Sequence, residues 1–191
     1  MEDAGPVTVN VLANDSDGNG DSLTITSVNY NGDGTVSHDG ASISYTPLLN
    51  FNGSETFTYT ISDGKGGSDS ATVTVDVTPV NDAPVASNDD KSTLAGNAVT
   101  IDVLTNDSDV DAGDVLSISS VSSPGNGVAT ISGNQIVYTP NQNYSGSDSF
   151  TYLVSDTAGA TDTATVTVQV TPIVVRAYAD LNYADGMIYG T

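Results

Sequence analysis

Apolar and polar residues alternate along most of the chain in short runs. Ala164-Thr165-Val166-Thr167-Val168-Gln169-Val170 is the clearest of them, and Ala71 to Val75 repeats its pattern. A period of two puts valines on one face and threonines on the other, which predicts half-buried strands rather than helices. Clusters of Asn, Asp, Gly and Pro close each run, and the Asn-Gly or Asp-Gly pairs at Asn31, Asp33, Asp39 and Asp63 read as hairpin turns. In the second half of the chain strands are predicted at 85–88, 99–104, 116–121, 128–131, 135–139, 149–154 and 164–170. Seven short strands in about ninety residues predict an all-β fold, a two-sheet sandwich.

The same order of motifs occurs twice. Val11 to Asp17 recurs at Val103 to Asp109 with one substitution, and Tyr45-Thr46-Pro47, Phe57-Thr58-Tyr59 and Ala71 to Val75 recur from Tyr138, Phe150 and Ala164. The offset grows by a single residue inside the loop that follows the first motif. Such a repeat means two copies of one folding unit. The boundaries read as module 1 at 1–80, module 2 at 81–172, and a tail at 173–191 that looks like the opening of a third module. Aligned with its sister, module 1 lacks the counterpart of the 85–88 strand, and the chain opens like a piece of something longer. An unpaired sheet edge is expected there, open to strand exchange with another copy.

Charge changes the picture. The chain carries 24 acidic against three basic residues, a formal net charge of −21, and every acid except Glu2 and Glu55 is Asp. No cluster of Lys and Arg exists to displace counterions from phosphates, which excludes nucleic acid as a partner. No apolar run reaches the length of a membrane-spanning helix, so membrane insertion is not expected. There is no Cys, hence neither a disulfide nor a thiolate metal site nor a Cys nucleophile.

The loop from Asn14 to Asp21 and its counterpart from Asn106 to Asp114 set carboxylates on alternate residues of a turn. Oxygens so spaced can curl around one hard cation, and calcium tolerates irregular, high coordination where magnesium demands an octahedron. Asx turns alone would account for one such Asp, less easily for four. The spacing is not that of an EF-hand, because no Glu stands at the twelfth position. In a seven-stranded sandwich the loops after the second and sixth strands lie where the chain enters, and the loop before the sixth lies where it leaves. Asp107, Asp109, Asp111, Asp114 and Asp156 are therefore expected to face the linker that holds Asn81 and Asp82, with Glu55 facing it from the other side. Asp15, Asp17 and Asp21 form the weaker site of the first copy. Asp89 and Asp90 are expected to lie outside, since a strand advancing about 3.3 Å per residue carries them away from the linker. Tyr59 and Tyr152, two places after Phe, are expected to be core or corner tyrosines.

Several motifs together carry a resemblance. Asn81-Asp82-Ala83-Pro84 is similar to the calcium-binding linker of cadherins. The series Val-Leu-x-Asn-Asp-Ser-Asp, Tyr-Thr-Pro, Phe-x-Tyr and Thr-Pro-Val-Asn-Asp-Ala-Pro resembles the bacterial cadherin-like repeats of giant RTX-type adhesins and VCBS-containing proteins, over residues 2 to about 172. The resemblance implies two tandem seven-stranded Ig/cadherin-like Greek-key β-sandwiches, the first without its first strand. It also implies export by type I secretion to the bacterial cell surface or beyond, and calcium at each junction between neighbouring modules of the same polypeptide. Its ligands would be Glu55, Asn81, Asp82, Asp107, Asp109 and Asp114, with Asp111 and Asp156 beside them. The chain departs from the pattern after Pro172, where Ile173-Val174-Val175-Arg176 replaces the linker motif.

For catalysis the chain offers little. His38 is the only His, and its counterpart is Ile131. The paired carboxylates sit in solvated loops without an apolar cleft to raise one pKa, so no enzyme is expected. The choice is between a calcium-rigidified spacer that projects adhesive domains for cell adhesion or biofilm formation and a carbohydrate- or cell-binding module, such as an accessory module of a polysaccharide-active enzyme. A glycan binder usually exposes aromatic rings, and this chain has no Trp. The spacer is the leading expectation.

Overall fold

Alternating β-branched residues put the chain into thirteen strands over the described residues, 1–174, of a computed structural model. They fall into two compact units, Met1–Ala83 together with Asp109–Asp114, and Pro84–Ser108 together with the described residues from Val115 to Val174.

The second unit has all seven strands of a sandwich. One sheet joins β7 (Asp89–Leu94), β13 (Thr161–Thr171), β12 (Gly146–Ser155) and β9 (Ser117–Val121) in that order, and the other joins β10 (Gly127–Ser132), β11 (Gln135–Pro140) and β8 (Val99–Ile101). Neighbours are antiparallel except β7, which runs parallel to β13 from Asp89 opposite Val166 to Leu94 opposite Thr171. The alternation of β13 has the consequence read from it: Val166, Val168 and Val170 are fully buried, while the intervening residues face outward. Ile136, Tyr138, Phe150, Tyr152 and Val154 fill the rest of the core.

The first unit repeats this plan with one strand fewer. Its sheets are β2 (Thr24–Asn29), β5 (Gly53–Ser62) and β6 (Ser68–Val77), and β1 (Val7–Val9), β4 (Ile43–Thr46) and β3 (Thr35–His38). Nothing among the described residues pairs with the outer edge of β6. Even the backbone repeats. Asn50 and Asn143 both adopt positive φ (57° and 64°) in the turn before β5 and β12, a conformation that a short amide side chain tolerates.

The strand expected at 85–88 is not there. Val85 makes a single bridge to Ser108, and regular pairing begins only at Asp89. Asn88 explains the delay, because its Oδ1 is occupied by the Thr165 N–H (2.8 Å), a side-chain substitute for the ladder. The strand expected at 99–104 is likewise shortened to Val99–Ile101, and a 3-10 turn over Val103–Thr105 buries Val103 instead. The tail expected to open a third module lies, beyond Val174, outside the described residues.

Candidate metal centre

The acidic loop Asp109–Asp114 belongs by its contacts to the first unit. Asp109, Asp111 and Asp114 each offer a carboxylate oxygen within 4.8 Å of the others, and all three are half-buried. The Asp111 N–H donates to Asp109 Oδ1 (2.9 Å), which folds the loop onto its own carboxylate. The Asp82 N–H in turn donates to Asp111 Oδ2 (2.8 Å), so the Asn81-Asp82 motif meets the loop as the sequence suggested. Asn81 Nδ2 caps the Asp82 carbonyl (2.7 Å).

Two residues that the sequence did not single out complete this region. Glu2, only 3% exposed, receives the Val80 N–H on Oε1 (2.6 Å) while its own N–H donates to the Thr78 carbonyl (2.9 Å). Asp3 follows it. Burial raises the pKa of Asp82, and the charges of Asp3, Asp111, Glu2 and Asp109 raise it further. Asp82 Oδ2 and Asp109 Oδ2 are buried without a hydrogen-bond partner. Buried polar atoms are nearly always partnered, and five carboxylates with no cation among them repel one another. Hard oxygen donors on an irregular loop suit calcium, so the residues present fit that ion.

The other expected ligands stand elsewhere. Glu55 was expected to face the linker. Instead its Oε2 accepts hydrogen bonds from Tyr30 and Tyr45 (2.5 Å each), because the third position of β5 turns inward onto the two rings. Burial first, and then this carboxylate, push Tyr30 up to about 12. Asp148 does the same in the second unit, accepting from Tyr138, Gly125 and Asn126. Asp15 and Asp107 each receive a tyrosine hydroxyl, Tyr59 at 2.9 Å and Tyr152 at 2.9 Å, and Asp107 also takes the Ser87 N–H. The two tyrosines are thus buried core rings whose hydroxyls tie down the start of each acidic loop. Asp17 closes an Asx turn by accepting from Asn19 and Asp21, bonds that hold its pKa below the usual value. Asp156 Oδ1 takes the N–H groups of Gly159 and Ala160. Asp21 enters this first loop through its backbone.

Asp89, expected to be carried well down the second module, instead lies beside Asn106 and Asp107 within the second unit. Because pairing starts so late, the carboxylate stays near Asp107, Tyr152 and Asn106, and its Oδ2 is buried without a partner. Burial pushes its pKa up to about 6, and the Asp107 charge adds to that. A carboxylate raised in the fold favours the folded state below its unfolded pKa, and that contribution disappears as pH rises through the folded value. In chelator, the second unit is expected to gain stability as pH falls from about 7 to about 5, across the Asp89 value near 6. Asp89→Asn should abolish that slope in calorimetry, and an unchanged slope in the variant would refute the assignment.

The model of the bacterial Ig domain matches residues 1–76 and again residues 81–169. Among solved structures, Drosophila N-cadherin EC1-4 is 19% identical over 79% of this chain and 41% of its own, with a TM-score of 0.52. The endo-fucoidan hydrolase MfFcnA4 of glycoside hydrolase family 107 is 22% identical over 82% of this chain and 24% of its own, with a TM-score of 0.37. The chain thus spans less than half the length of either. No curated protein matches it. The cadherin likeness bears out the Ig/cadherin-like fold, and no helix among the described residues is long and apolar enough to cross a membrane.

Proposed function

Because the chain belongs to the bacterial Ig domain family, we propose that it is a non-catalytic, calcium-stiffened spacer of a large extracellular bacterial protein, of the kind that projects adhesive domains from a cell surface. One observation carries the reading: Asp82 and Asp109 keep buried, unpartnered oxygens beside the Asp109, Asp111 and Asp114 carboxylates. Asp82, Asp109, Asp111 and Asp114 would hold the ion, with Glu2 and Asp3 adding negative charge around it. Bound calcium supplies the positive charge that lets these oxygens stay together. The chain's own part is to bring the Thr78–Ala83 segment to the loop, through the Glu2 carboxylate on Val80 and the Asp82 N–H on Asp111. With calcium in place that segment is fixed at both ends, and it is the segment that leads into the second sandwich.

Small-angle scattering tests this directly. Calcium should narrow the distribution of maximum dimensions relative to chelator, and Asp109→Asn with Asp111→Asn should remove the response. Superimposable profiles with and without calcium would sink the spacer mechanism.

A further inference from the structure

One stretch where the two sandwiches differ opens a cleft in the first. Val28 and Val121, Phe57 and Phe150, and Thr58 and Thr151 correspond, but Asn29-Tyr30-Asn31 stands where the second unit has Ser122-Ser123-Pro124, and Glu55 where it has Asp148. In the second unit the shorter carboxylate draws the loop in, taking the N–H groups of Gly125 (3.1 Å) and Asn126 (2.9 Å). Ser122 closes on Thr151, donating its N–H to the carbonyl and accepting the Thr151 N–H on its hydroxyl (2.8 Å each). In the first unit the Tyr30 phenol takes that place. It donates to Glu55 Oε2 (2.5 Å) and accepts the Gly34 N–H (2.9 Å), and its ring meets Tyr45 and Phe57 edge-on at 6.3 and 6.5 Å. β2 pairs with β5 only as far as Asn29 opposite Thr58, so no described strand lies alongside 55–57 on that side. The result is a cleft of about 420 Å³ between residues 29–32 and β5, wholly within the first unit.

We propose that this cleft binds a single neutral sugar unit, either a free hexose or the terminal residue of an uncharged glycan. Ligand clefts begin at about 300 Å³, so the volume suffices for one ring. Asn29, Asn31, Thr56 and Thr58 line it from exposed positions. Their amides and hydroxyls donate and accept at once, as every sugar hydroxyl does. The wall behind them is set before a ligand arrives, because Tyr30 is held by two hydrogen bonds and two ring contacts, which spares part of the ordering cost. A Cβ at Gly32 would stand 2.5 Å from Glu55 Oε1 and closer still to the Tyr30 hydroxyl, so only glycine lets the turn pass this near the pair. Charge narrows the choice of sugar. No Lys or Arg lines the cleft, Glu55 does, and the chain carries a net charge of −21, so uronates and sulfated sugars are repelled. A small cation is equally ill matched, because Glu55 is the one carboxylate in the lining and two phenols already bind it. The site adds a weak sugar contact to a chain whose proposed role is mechanical.

Amide NMR titration of the full chain with glucose, galactose, mannose, fucose and N-acetylglucosamine is the test. At least one of them should give saturable shifts confined to residues 29–34 and 55–58, with a Kd on the order of 1 mM for so small a ligand. Glucuronate and galacturonate should give none. Asn31→Ala combined with Thr56→Ala should weaken binding at least about tenfold, since two hydrogen-bonding groups are lost. Both side chains are exposed, so the variant keeps its fold. Silence from every sugar at about 50 mM, far above that Kd, would overturn the proposal. So would shifts that glycerol reproduces, shifts that fall outside the cleft, a uronate that binds as tightly as the neutral sugars, or a double variant with the affinity of the parent. None of these residues belongs to the calcium site, so a failure here leaves the spacer reading to stand or fall by scattering.

Discussion

Calcium added to metal-free protein is expected to raise the unfolding midpoint of the first unit by about 10–20 °C once the ion exceeds its Kd a hundredfold. A ligand bound only by the folded state contributes RT ln(1 + [L]/Kd), about 2.7 kcal/mol at that ratio. For a domain of this size each kcal/mol moves the midpoint by about 4–8 °C. The sign reverses in a telling way on mutation. Asp109→Asn removes a ligand, and it also removes one of the charges that crowd Asp82. In chelator the variant should therefore melt above the parent chain, and in calcium below it. A crossing of that kind separates a cation site from an acidic loop that merely keeps the surface soluble, for which the variant would rank the same in both buffers. Acid should act in the manner of the chelator, since the ligand carboxylates must be ionised to bind.

The second large effect lies far from any cation. Asp148 is 5% exposed and accepts four hydrogen bonds: from the Tyr138 hydroxyl (2.8 Å) and from the N–H groups of Gly125 (3.1 Å), Asn126 (2.9 Å) and Ser149 (3.0 Å). Asp148→Ala leaves a fully buried phenol and two loop amides without an acceptor. That costs about 3 kcal/mol or more, because each orphaned buried donor loses its full desolvation energy. The second unit should then melt at least roughly 10 °C lower. Asp148→Asn keeps one acceptor oxygen but turns an NH2 group toward existing donors, so it should fall between the two. Glu55→Ala, its counterpart on half-buried ground, should cost less, because water can reach the Tyr30 hydroxyl. Calorimetry of the three variants gives the order, and a near-neutral Asp148→Ala would show that this network is not what fixes the loop.

Much of the architecture could be read from the chain alone. The period of two in residues 164–170, the turn pairs and the doubled motifs each depend on residues near one another in sequence, and they gave most of the strands and the two sandwiches. The meeting of Asp82 with the Asp109–Asp114 loop was also legible, since loop order in a sandwich fixes which end a loop occupies. The rest depended on distance and direction. Whether Glu55 turned toward the linker or onto Tyr30 and Tyr45 was decided by which face of β5 it occupies when two rings already fill the interior. Glu2 had no informative counterpart, because it aligns in sequence with the apolar Leu94, and only the fold shows it buried with the Val80 N–H on its carboxylate. Asp89 was misplaced by assuming that an extended strand starts at Pro84. One side-chain amide, Asn88 on Thr165, delays the ladder and leaves that carboxylate next to Asp107. Sequence patterning reports which face a residue prefers averaged over a strand, whereas the partner of a single buried carboxylate is set by packing among segments dozens of residues apart.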